Sequence, residues 1–158
     1  MHLHCQHEYQ LYYPIAITIE QLSNIHSCQN GYLEVAQWLW QLNNTIDIHA
    51  ENEYAFRYAC LNGDLKVAKW LWQLDNTINI HADNEYAFRY SCQYGHLEVA
   101  QWLWQLDNTI NIHADNEFAF RYSCHSGHLK VAQWLWQLDN TIAITIEQLL
   151  NAHFYTNI

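Results

Sequence analysis

The chain is 158 residues long and 51% hydrophobic, enough to bury a sizeable core in one domain, 1–158. Its formal net charge is −10, from 16 acidic against 6 basic side chains, and no cluster of Lys or Arg occurs, so the composition argues against nucleic-acid or anionic-membrane binding. No apolar run approaches the ~20 residues of a membrane-spanning helix, and residues 1–13 lack the basic and apolar regions of a signal peptide.

One period organises the rest. His49, His81 and His113 recur every 32 residues, and so do Arg57, Arg89 and Arg121. All 4 glycines keep the same spacing, at Gly31, Gly63, Gly95 and Gly127, as do the cysteines Cys28, Cys60, Cys92 and Cys124. A fixed period in this range implies a stacked solenoid. The predicted units are a degenerate half repeat over 1–13, repeats over 14–44, 45–76, 77–108 and 109–140, and a half repeat over 141–158. The octet "IAITIEQL" stands at both ends, Ile15–Leu22 and Ile142–Leu149. Thr18 with Gln21, and Thr145 with Gln148, read as capping boxes that start a first helix. The array thus starts midway through one repeat and stops after the first helix of another, with helix pairs predicted over 19–42, 52–74, 84–106 and 116–138.

Each repeat reads as two helices. In "NEYAFRYSCQY", Asn84 is the expected N-cap and Glu85 lies in the first turn, where acids are favoured. The glycine that follows ends the helix in a left-handed conformation. In "HLEVAQWLWQL", Glu98, Gln101 and Gln105 share a polar stripe at 100° per residue. Val99, Leu103 and Leu106 lie opposite it, and Leu97 and Ala100 widen the apolar surface. The "DNTINIHAD" segment then turns the chain.

Trp102 and Trp104 point roughly 200° apart, one on each side of the polar stripe. One tryptophan of each pair is therefore expected against its counterpart across the junction. This makes a structural ladder of Trp38, Trp40, Trp70, Trp72, Trp102, Trp104, Trp134 and Trp136.

"GHLEVAQWLW" and its sister copies resemble the second helix of ankyrin repeats over roughly residues 14–158. The Trp-Leu-Trp and "YAFRYSC" segments are especially similar to ankyrin arrays encoded by giant amoeba-infecting DNA viruses. The resemblance implies an all-α ankyrin-type solenoid of antiparallel helix pairs, about four full repeats plus a half repeat at each end, with projecting hairpins and a protein-binding role. The period of 32 is one short of the usual ankyrin length, and Tyr86-Ala87-Phe88-Arg89 stands where the family has Thr-Pro-Leu-His. The Thr–His hydrogen-bond network of that tetrapeptide is therefore not expected. If ankyrin-type binding through hairpin tips and the first-helix face carries over, the candidate rim is Glu51, Asn52, Glu53, Asp83, Asn84, Glu85, Asp115, Asn116 and Glu117. This acidic rim suits a basic partner.

No chemistry stands out beside this. Equivalent cysteines lie ~8–10 Å apart in a helix stack, too far for disulfides, and read as small buried thiols. An odd cysteine count without a signal peptide points to a reducing, cytoplasmic setting. "HLHCQH" holds zinc-capable ligands at His2, His4, Cys5 and His7 but lacks a second ligand pair at typical spacing. His49, His81 and His113 are too far apart to share an ion and read as a surface ladder on the hairpins. Glu53–Arg57, Glu85–Arg89 and Glu117–Arg121 read as i,i+4 helix pairs. No metal, cofactor or catalytic set is expected. Two roles remain open: a protein-binding adaptor, with host proteins as candidate partners, or a structural or vestigial array, or a fragment of a longer one, that associates end to end.

Overall fold

The structure, a computed structural model, describes residues 32–42 and 47–139. Over these residues the chain is helix and turn without strands: α1 Leu33–Leu42, α2 Ala50–Leu61, α3 Leu65–Leu74, α4 Ala82–Gln93, α5 Leu97–Leu106, α6 Ala114–His125 and α7 Leu129–Leu138. The all-helical repeat architecture follows the period: α2/α3, α4/α5 and α6/α7 are successive pairs. Gly31, Cys28, both copies of "IAITIEQL", the two half repeats and the "HLHCQH" segment lie outside the described residues.

The second helices follow their sequence pattern. In α5, Val99, Ala100 and Leu103 are buried while Glu98 and Gln105 face solvent. The equivalents Val67, Ala68 and Leu71 in α3, and Val131, Ala132 and Leu135 in α7, are buried likewise. Burying a Val or Leu contributes roughly 1.5–3 kcal/mol, so α3, α5 and α7 are each held chiefly by this triplet, whereas in α1 Ala36 is buried and Val35 is exposed. The first helices supply the centre of the stack, where Phe56 and Phe88 are wholly buried. The main backbone contacts between repeats run from first helix to first helix, α2 to α4 and α4 to α6. Ile48, Ile78, Ile80, Ile110 and Ile112 bury the inner side of the connecting hairpins.

The join between the helices of a pair is fixed by glycine. Gly63, Gly95 and Gly127 adopt φ of +80°, +81° and +76°. Around Gly63 the Asp64 amide donates to the Ala59 carbonyl at 2.8 Å and the Gly63 amide to the Cys60 carbonyl at 3.1 Å. This is a Schellman cap, which satisfies carbonyls that the helix end leaves open and turns the chain at once into the next helix. The same pair of bonds recurs at His96/Gly95 and His128/Gly127.

The starts of the first helices differ from the sequence reading. Asn84 is not an N-cap. Asp83, Asn84 and Glu85 adopt φ of 56°, 56° and 64°, a full left-handed turn, and right-handed helix begins only at Tyr86. Glu51–Asn52–Glu53 and Asp115–Asn116–Glu117 do the same. L-residues lose roughly 1–2 kcal/mol each in this conformation, so each of these three turns must be held by the rest of the structure.

Candidate protein-binding face

The groups that hold the left-handed turn define the hairpin side of the array. In the middle repeat the Arg89 guanidinium lies under the turn. Its Nε donates to the Asn84 carbonyl at 2.7 Å and its Nη2 to the Asp83 carbonyl at 3.3 Å. Nη1 reaches forward to the Asp115 carboxylate in the next repeat at 2.8 Å. Arg57 repeats the pattern on Asn52, Glu51 and Asp83. The planar fork suits this: one cation caps two carbonyls and ties two repeats together.

The expected i,i+4 pairs of Glu53, Glu85 and Glu117 with arginine are therefore absent. Because the glutamates sit in a left-handed turn, the spacing of four does not place them over the arginines. Each glutamate turns to a histidine instead. His49 Nδ1 lies 2.9 Å from Glu53 Oε1 and His49 Nε2 lies 3.3 Å from Asp75 Oδ2 at the root of the following hairpin. His81 bridges Glu85 and Asp107, and His113 bridges Glu117 and Asp139, at the same distances. Glu53 and Glu85 also accept the Asn79 and Asn111 amides of the next hairpins at 3.1 Å. The three histidines are half-buried ties rather than a free surface ladder. The carboxylate of Glu53 raises the His49 pKa, that of Glu85 raises His81, and at His113 burial opposes but Glu117 and Asp139 prevail. The Thr–His network absent from the sequence is thus replaced by a His–Glu–Asp ladder.

The sequence-derived rim splits. Glu51, Asn52, Asp83, Asn84, Asp115 and Asn116 are exposed at the hairpin tips, whereas Glu53 and Glu85 are buried and Glu117 is half-buried. Glu53, Glu85 and Glu117 therefore serve the interior of the hairpins.

Beside the rim runs an aromatic stripe that the sequence reading did not single out. Tyr54 stacks on Tyr58 at 4.0 Å, Tyr58 on Tyr86 at 6.0 Å and Tyr86 on Tyr90 at 4.1 Å. Tyr90 then meets Phe118 at 5.1 Å, and Phe118 meets Tyr122 at 4.3 Å. At 100° per residue these positions lie opposite Ala55, Phe56, Ala59 and Cys60, the buried side of the first helix. The five tyrosines are half-buried and Phe118 is buried. Arg57 stands 4.8 Å from the Tyr86 ring and Arg89 4.8 Å from Phe118, so each clamp also braces the stripe. Burial raises the pKa of Tyr54, Tyr86 and Tyr90, keeping these hydroxyls protonated. The signal lies in the sequence as Tyr-x-x-x-Tyr on α2 and α4 and Phe-x-x-x-Tyr on α6.

The tryptophans find phenylalanines across or within the pair. Trp102 packs on Phe56 of the preceding repeat and Trp134 on Phe88, both at 6.1 Å, and Trp136 packs on Phe120 at 6.0 Å. Across these two junctions the ring contact is Phe–Trp, where the sequence reading expected tryptophan against tryptophan. Cys60 and Cys92 are free, fully buried and pushed up in pKa by burial, while Cys124, read as buried from the sequence, is exposed. No group of three or more His, Cys, Asp or Glu among the described residues could hold a metal ion. No described helix is long and apolar enough to cross a membrane.

A stack of helix pairs joined by glycines is a helical repeat solenoid. The family model for ankyrin repeats in three copies matches residues 58–148. The chain belongs to the ankyrin repeat family, whose repeats are in general protein–protein interaction modules. Among solved structures it is similar to an ankyrin repeat family protein from Legionella pneumophila, with 29% identity and a TM-score of 0.67. That match covers 82% of this chain but only 38% of the Legionella protein. No curated protein matches the chain significantly.

Proposed function

We propose that this chain is a non-catalytic adaptor that binds a basic polypeptide segment along its first-helix face, between the aromatic stripe and the acidic hairpin tips. The continuous stripe from Tyr54 to Tyr122 carries this reading. Half-buried tyrosines offer flat apolar area with hydroxyls at their edge, at little entropic cost, which suits recognition of another chain. The net charge of −10 and the exposed Glu51, with Asp83 and Asp115 still more than half exposed beyond their pairs with Arg57 and Arg89, favour cationic side chains beside those rings. In this reading the partner is a host cytoplasmic protein, an extension that follows the sequence likeness to viral arrays alone.

The test is capture from cytosolic lysate with the tagged wild-type chain and a Tyr58→Ala/Tyr90→Ala variant that keeps its helical circular dichroism. A reproducible partner that is released by salt and lost in the variant supports the proposal. A partner retained in full by the folded variant refutes the stripe. The ends on which self-association would rest lie outside the described residues; light scattering that shows mass rising with concentration, without a captured partner, would favour that reading.

A further inference from the structure

Three times in the described chain one imidazole stands between two carboxylates that come from two consecutive hairpins. His49 touches Glu53 of its own turn and Asp75 at the root of the next hairpin. His81 touches Glu85 and Asp107, and His113 touches Glu117 and Asp139. Ionised carboxylates only accept hydrogen bonds, and a neutral imidazole has one N–H to give. The neutral ring leaves one of the two contacts without a proton; the imidazolium fills both.

The surrounding groups are arranged for the charged ring. Asp75 is oriented by Thr77, whose amide and hydroxyl donate to Oδ1 at 2.8 and 2.7 Å, leaving Oδ2 for His49. Glu53 holds His49 through both oxygens while Oε1 also accepts the Asn79 amide. Asp47 accepts the His49 backbone amide at 2.9 Å, adding a third acid to that site. The cations nearby, Arg57 and Arg89, are directed to turn carbonyls and to Asp83 and Asp115.

The geometry points to His49, His81 and His113 as proton-gated ties between successive hairpins: protonated, each bridges two repeats, so the array stiffens as pH falls through the neutral range and slackens as pH rises. The sign is consistent with the directions of titration. All three imidazoles are raised above 6.5 in the folded chain. Their contribution is complete below the ordinary imidazole value and is lost as pH rises through the raised one. Three other groups bound the window. Burial lowers the pKa of His96, with the charge of His128 also lowering it and the Leu61 carbonyl opposing, so His96 destabilises the fold under acid. Hydrogen bonds from Thr77 and Thr109 lower Asp75 and Asp107, whose stabilisation is lost only at pH below the ordinary carboxylate value.

The test combines an NMR titration of the imidazole resonances in the full-length chain with urea midpoints at about pH 6 and about pH 8. Wild type, His81→Gln, the triple His49→Gln/His81→Gln/His113→Gln variant and His96→Asn are compared. We expect the three ring resonances to titrate above free histidine. The wild-type midpoint should be higher at the lower pH, and that gap should shrink in His81→Gln and vanish or invert in the triple variant. His96→Asn should widen it. A triple variant that keeps the full gap, or bridging rings that titrate at or below free histidine, overturns the proposal. Should the triple variant not fold, the wild-type resonances and His81→Gln decide alone.

Discussion

Replacing Arg89 with alanine tests the clamp that holds the left-handed turn. Its side chain is only 8% exposed and makes two contacts to turn carbonyls and one to Asp115. A hydrogen bond from a charged group contributes about 1.5–3 kcal/mol, and the lower end applies because the accepting residues are solvent-exposed and one contact is long. The Asp115 carboxylate is 55% exposed, so this ion pair adds only about 0.2–1 kcal/mol. The guanidinium beside Phe118 adds about 0.5–1 kcal/mol. Allowing for overlap, Arg89→Ala should cost about 3 kcal/mol, a large part of the roughly 5–15 kcal/mol that keeps a domain folded. Urea denaturation followed by circular dichroism reads this as a lower midpoint at unchanged slope. Arg89→Lys keeps the charge without the fork and should recover only about 1 kcal/mol. Asp115→Asn should cost about 0.5 kcal/mol. A loss under about 1 kcal/mol for Arg89→Ala, or full recovery by lysine, would refute the argument that the guanidinium fork holds the turn.

Three further outcomes follow from single positions. A Cβ on Gly95 would lie 2.5 Å from His128 Nδ1, whereas one on Gly127 meets nothing within 4 Å among the described residues, although φ is positive at both. Gly127→Ala should therefore cost about 1–2 kcal/mol, the left-handed penalty alone, and Gly95→Ala measurably more; equal losses would contradict the close ring. Phe88→Ala removes a wholly buried ring that Trp134 covers and should cost about 3–5 kcal/mol, with Trp134 fluorescence shifting to longer wavelength; an unshifted spectrum would argue against that contact. Alkylation followed by peptide mapping should modify Cys124 in the native chain while Cys60 and Cys92 react only on unfolding, and comparable native labelling of all three would be inconsistent with their burial.

How legible these features were depended on whether local rules set them. The glycine joins and the second helices could be read directly. A glycine at every pair junction needs only the left-handed preference, and "LEVAQWLWQL" needs only the period of 3.6. The turn "DNE" could not be read this way. Asn and Asp tolerate left-handed backbone but Glu rarely does, so a helix start was the natural assignment, and with it went the pairing of Glu with Arg four residues on. The tyrosine stripe is legible in the i,i+4 spacing, whereas the ring partners of the tryptophans depend on how far apart the repeats stack.

The correct partners are set by stacking. Arg57 meets Asp83, Arg89 meets Asp115, His49 meets Asp75 and Glu53 meets the Asn79 amide, each 26 positions further along the chain. This accounts for a pattern within the sequence itself. The hairpin segments of the middle repeats are nearly identical, "IHAENEYAFRY", "IHADNEYAFRY" and "IHADNEFAFRY", while the edits collect in the turns around Gly63, Gly95 and Gly127. A hairpin residue is bound both to the preceding copy and to the next, so a change in one repeat breaks a match in its neighbour. At the turns the coupling is looser. His96 lies over Gly63 and His128 over Gly95, while Asp64 stands at the same sequence position one repeat earlier and keeps the same cap. The repeats stay alike where each hairpin is half of a bond made twice, and diverge where the backbone closes on itself.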